Sequence, residues 1–176
     1  KVRLTGGEPL LRPNLHELIE ELSHIKGIKD LALTTNGSLL EENAVLLKKS
    51  GLNRLTVSLD TIDSRTFKQM NGNFGSVEQV LNGIKAAEAA GFNQIKLNVV
   101  VQKGVNDHKV NEMVEYFKNS NHIIRFIEYM DVGTCNHWDR RYVVNYAEIL
   151  EGLEKDFNLE PLDAQYFGEV AKRFRI

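Results

Sequence analysis

Five short apolar runs, each followed by a helical period, constrain this chain of 176 residues more than any other feature. The runs are Val2-Arg3-Leu4, Leu31 to Thr34, Leu55 to Leu59, Ile95 to Val101 and Ile123 to Tyr129. After the first, Leu15, Leu18, Ile19, Leu22 and Ile25 recur at helical spacing, with Asn14 as the predicted N-cap and Gly27 past the end. A second helix is predicted through Val45, Leu46 and Leu47, and a short one from Asp63 through Phe67 and Met70. Ser76 and Gln79 form a predicted capping box for a longer helix, Asn106 caps the next, and Asn145 with Glu148 opens the last. A helix between two strands returns the chain in the same direction, so the strands pair in parallel.

Two architectures satisfy that alternation, a (β/α) barrel and an open doubly wound sheet. The strand ends favour the barrel. Each ends in polar residues, at Gly7 and Glu8, Thr34 to Asn36, Ser58 and Asp60, Gln102 and Lys103, and Glu128 to Asp131. A barrel gathers all such ends on one rim, whereas a doubly wound sheet uses mainly the strands at its switch point. The expected fold is therefore α/β, an incomplete (β/α) TIM-type barrel with parallel strands, since five strands cannot close eight places. Residues 1–157 are expected to form it and 158–176 to begin a truncated C-terminal extension.

Composition narrows the function. The 24 acids and 22 bases give no electrostatic footprint for nucleic acid or an anionic membrane, so anion binding must come from local basic groups. No apolar run approaches a bilayer span and no secretory signal is visible, so a cytoplasmic protein is expected. The single cysteine, Cys135, excludes an internal disulfide and cannot alone hold a thiolate cluster. The histidines lack metal-ligand spacing. Lys1 opens directly on a strand and Phe174-Arg175-Ile176 reads as a strand cut short, so both ends are expected to be cuts.

The first strand runs into Thr5-Gly6-Gly7-Glu8-Pro9, where a glycine pair lets backbone approach a ligand and Pro9 stops the strand. A tight strand-to-helix turn would have the same residues. Arg3 and Lys96 sit on strands, where a charge is costly to bury without a partner, and Glu8, Asp60 and Glu128 are carboxylates that could supply one.

Six stretches taken together resemble the radical S-adenosylmethionine enzymes, and within them the GTP 3′,8-cyclases of molybdenum-cofactor biosynthesis. They are Arg3-Leu4-Thr5-Gly6-Gly7-Glu8-Pro9-Leu10, Leu33-Thr34-Thr35-Asn36-Gly37, Val57-Ser58-Leu59-Asp60, Lys96-Leu97-Asn98-Val99-Val100, Gln102-Lys103-Gly104-Val105-Asn106 and Arg125-Phe126-Ile127-Glu128-Tyr129-Met130. The resemblance implies a radical S-adenosylmethionine core, in which a 4Fe-4S cluster cleaves S-adenosylmethionine and the resulting radical starts the conversion of GTP to (8S)-3′,8-cyclo-7,8-dihydroguanosine 5′-triphosphate. It also implies that Gly7, Ser58 and Met130 contact S-adenosylmethionine and that Arg3, Thr34 and Lys96 hold GTP. Lys1 and Arg125 could join the GTP group. A homodimer and a downstream cyclic pyranopterin monophosphate synthase partner follow from the same resemblance.

The departures point to a central fragment. The cysteine sets of the two 4Fe-4S clusters would lie before Lys1 and after Ile176, and Cys135 matches neither. An arginine of the family's N-terminal part and a pair of its C-terminal part are also absent. A fragment without them is expected to be inactive alone. Two other readings stay open: a metal-free barrel lyase or aldolase using Lys96 or Lys103 as a Schiff-base amine, and a non-catalytic nucleotide-binding module.

Overall fold

A computed structural model describes every residue except 73, 133–137 and 165–167. The chain divides into two compact units, Lys1–Val100 with Asn119–Ile127, and Val101–Lys118 with Glu128–Ile176. Five strands, β1 (Val2–Leu4), β2 (Leu31–Thr35), β3 (Arg54–Ser58), β4 (Lys96–Val101) and β5 (Ile123–Glu128), form one sheet in the order β1-β2-β3-β4-β5. Pairing is parallel from β1 to β2, β2 to β3 and β3 to β4. This order never reverses. It is that of a (β/α) barrel wall, and it rules out the doubly wound arrangement, whose strand order turns back at a switch point.

Between the strands lie α1 (Leu15–His24), α2 (Leu40–Lys49), α3 (Ser64–Asn71), α4 (Val77–Ala89) and α5 (Val110–Phe117). Leu31, Leu33, Leu55, Val57, Leu97 and Val99, on alternate strand positions, are buried beside apolar helix residues such as Ile19, Leu40, Leu47, Val80 and Ile84. Helices α2 and α4 approach closely because Gly83 lacks a Cβ. One added there would stand 2.8 Å from the Gly37 carbonyl oxygen and 2.9 Å from the Leu40 Cβ.

Three predicted caps form. The Asp63 carboxylate accepts the Thr66 N–H at 2.9 Å, and Ser76 with Gln79 makes the reciprocal capping box of α4. Asn145 and Glu148 do the same for α6 (Tyr146–Glu154). Two predicted caps do not form. Asn14 lies in the left-handed region at φ 55°, which turns its side chain away from the helix amides, and only its carbonyl joins α1. The Asn106 side chain instead accepts the Gln102 N–H at 2.8 Å and closes the turn after β4, so a 3-10 turn over Asp107–Lys109 leads into α5. At the end of the chain, β7 (Arg173–Arg175) pairs antiparallel with β6 (Glu160–Leu162). No helix among the described residues is long and apolar enough to cross a membrane.

Candidate functional site

Strand alternation sends successive side chains to opposite faces of the sheet, and the register decides which ones become neighbours. Arg3, Ala32 and Arg54 form one row across β1, β2 and β3, and Thr34, Thr56 and Lys96 form the next across β2, β3 and β4. Ser58 and Asn98 stand together one step further toward the strand ends. Parallel strands are usually apolar on both faces. Here one face is apolar and buried, and the other carries two arginines, a lysine, two threonines, a serine and an asparagine.

The Arg3 guanidinium reaches across this face. Its Nη1 donates to the Thr34 hydroxyl at 2.8 Å and to the Thr56 hydroxyl at 3.0 Å. Arg3 and Thr34, both expected to hold GTP, are thus in direct contact. Burial, followed by the charges of Arg54 and Arg125, presses the Arg3 guanidinium below its ordinary value, with Asp30 opposing. Lys96 is lowered by burial and then by Arg125, Arg54, Lys1 and Arg3, all cations. Among the described residues, neither Arg3 nor Lys96 is ion-paired to a carboxylate.

The three carboxylates that could have neutralised them are engaged elsewhere. Glu8 accepts the Thr35 hydroxyl at 2.6 Å, the Leu10 N–H at 3.0 Å and the Asn36 N–H at 2.7 Å. Asp60 accepts the Val100 N–H at 2.7 Å, and burial pushes its carboxyl above the ordinary carboxylate range against that bond. Glu128 accepts the Tyr146 N–H at 2.6 Å. Among the described residues, the acid coupled to these cations is Asp30, which accepts from Arg54 Nε at 2.8 Å and Nη2 at 2.5 Å and lies 3.8 Å from Lys1 Nζ. Burial alone would raise Asp30, but the Arg54 hydrogen bond and the charges of Arg54 and Lys1 bring it below the usual range.

Glu8 also shapes the Gly6-Gly7 turn by tying it to the end of β2. Added to Gly7, a Cβ would meet no atom of the described residues within 4 Å, so packing among them does not require a glycine there. Within the Ser58–Asn98 pair, the buried Asn98 Oδ1 has no hydrogen-bond partner among the described residues. Among the described residues no group of three or more His, Cys, Asp or Glu could hold a metal ion. A lone cysteine cannot ligate a 4Fe-4S cluster, so these residues do not fit that group, whereas Gly7, Ser58 and Asn98 fit an organic cofactor with polar groups.

Met130 is about half exposed and belongs to the second unit, so its predicted contact with S-adenosylmethionine rests on the resemblance alone. Lys103, the alternative Schiff-base lysine, is more than half exposed and lies 3.5 Å from Glu148. Cys135 and His137 fall outside the described residues. Sequence reading did not single out Thr56, Asn98, Arg54 or Asp30. The available signal was the two-residue period: Thr56 and Ser58, like Lys96 and Asn98, must share a face.

A sequential parallel sheet with functional groups on one face and at its strand ends defines a (β/α)-barrel enzyme core. A profile of the Radical SAM superfamily matches residues 1–117, and the chain belongs to that superfamily. It is 53% identical over 173 residues to the GTP 3′,8-cyclase of Xanthomonas campestris pv. campestris (strain B100), covering 98% of this chain and 51% of that one. With the GTP 3′,8-cyclase of Staphylococcus epidermidis (strain ATCC 35984) it shares 47% over 175 residues, covering 99% and 51%. The chain thus spans about half the length of the curated relatives it matches. Among solved structures, a radical SAM methyltransferase from Sphaerobacter thermophilus superposes with a TM-score of 0.60 at 16% identity, covering 73% of this chain and 40% of that one. HydG, a maturase of the FeFe hydrogenase, gives 0.56 at 17%, covering 84% and 36%. At that identity both support the fold alone.

Proposed function

We infer that this chain is the central part of a GTP 3′,8-cyclase of molybdenum-cofactor biosynthesis, and that the polar face of its sheet holds the nucleotide. The observation that carries this reading is that Arg3 and Lys96 lie on one face of the sheet, each feeling the charge of Arg125, and that among the described residues neither is ion-paired to a carboxylate. Charges held together against mutual repulsion and partial burial need an anion of several charges, and a triphosphate is one. Thr34 holds the Arg3 guanidinium from one side. The identity with GTP 3′,8-cyclases supports GTP as the nucleotide.

Gly7 and Ser58 would receive S-adenosylmethionine, with the unpartnered Asn98 Oδ1 beside Ser58 as a further acceptor. That cofactor supplies the one-electron chemistry when reduced by an iron-sulfur cluster, whose ligands are not among these residues. This chain's own part is to orient two ligands on one sheet face. A Schiff-base lyase is disfavoured, because Lys103 is exposed and ion-paired and Lys96 is surrounded by cations that call for an anion rather than a neutral carbonyl.

Calorimetry of the reconstituted full-length protein with GTP tests the reading. Arg3→Ala and Lys96→Ala are each expected to weaken binding by roughly tenfold or more, the scale of one charge-assisted contact. Unchanged affinity in both would sink the triphosphate assignment.

A further inference from the structure

Arg3 and Arg54 share one row of the sheet, yet their guanidinium groups are set differently. The Nε and Nη2 of Arg54, the edge that fits two acceptor oxygens side by side, are filled by Asp30. At Arg3 that edge is open: among the described residues its Nε and Nη2 have no partner, and the protein holds the group by Nη1 alone. Nη1 carries two hydrogens, and Thr34 and Thr56 supply one acceptor each. Ala32, the register neighbour between the two arginines, has no length to obstruct a side chain crossing β2 toward Thr56.

We propose that Thr56 is a positioning residue, which with Thr34 fixes the Arg3 guanidinium so that its Nε–Nη2 edge faces the substrate's phosphate oxygens. One hydroxyl alone leaves the planar group free to rotate about its bond to Thr34; two hold its plane. Thr56 is almost fully buried and its hydroxyl is taken up by Arg3, so it acts on the substrate through Arg3. Its hydroxyl therefore matters for orientation, and only an acceptor at that place is required. The inference rests on the reading of Arg3 as a phosphate ligand.

The test is a double-mutant cycle read by GTP calorimetry on the reconstituted full-length protein. Thr56→Val, which keeps the shape and removes the acceptor, is expected to weaken GTP binding roughly 5- to 20-fold, and Thr56→Ser to stay within about 2-fold of the parent. In an Arg3→Ala background, Thr56→Val should cause no further loss, because the group it positions is gone. Should the valine variant fail to fold, Thr56→Ala is carried through the same cycle. Parental affinity in the Thr56 variant, or an equal loss with and without Arg3, overturns the inference while leaving Arg3 as a ligand. Parental affinity in Arg3→Ala overturns the phosphate reading itself, and the positioning role with it.

Discussion

The same strands build two unlike faces of the sheet, and neighbouring residues show the difference most sharply. Leu97 is fully buried on the helix-covered face, while Lys96, one residue earlier, lies on the other face among Arg3, Arg54, Arg125 and Lys1. The first face is held by removal of apolar surface from water, which needs no partner chemistry. The second keeps like charges together, an arrangement that costs stability in the absence of an anion. The apolar face maintains the fold; under the proposed function, the polar face is where the fold gives up stability for a ligand.

The largest expected effect breaks the apolar side. Leu97→Ala should destabilise the protein by about 2–5 kcal/mol in a denaturant titration, since a cavity opens beneath the sheet. A loss below 1 kcal/mol would mean that the face is not close-packed. Lys96→Met should have the opposite sign, raising stability by about 1 kcal/mol without GTP while weakening GTP binding. The linkage sharpens this. A lysine whose folded value is depressed binds fewer protons in the native than in the unfolded state between the two values, so native stability rises with pH there. That rise at alkaline pH should vanish in Lys96→Met.

A smaller effect concerns Asp30, which offsets the cations. The Asp30 carboxyl is held below its ordinary value, so its stabilising contribution is present above the ordinary range and is lost as pH falls through the folded value. Asp30→Asn should therefore flatten the acid limb of a pH–stability curve below about pH 4. An unaltered acid limb would show that Asp30 and Arg54 contribute nothing there.

How much of this was legible follows from what carries each feature. The strand and helix order is local periodicity, and the Asp63, Ser76 and Asn145 caps are local chemistry; all could be read from the chain. Asn14 and Asn106 show the limit, because an Asn before a helix can equally adopt a left-handed turn or close a preceding one. The partner of the last strand was missed because Glu160-Pro161-Leu162 is short and contains a proline. Arg3, Thr34 and Lys96 came from the resemblance, while their placement in adjacent rows depends on register, which no single segment encodes. For the same reason the Thr56 contact and the Asp30–Arg54 fork, made across 53 and 24 residues of chain, were invisible.

The central claim is that the polar face binds the phosphates of a nucleotide. A crystal structure of the full-length protein with GTP tests it most directly. The claim predicts phosphate oxygens within ~3 Å of Arg3 Nε or Nη2 and of Lys96 Nζ. Phosphates bound elsewhere, with the Arg3 edge facing only water, would contradict it.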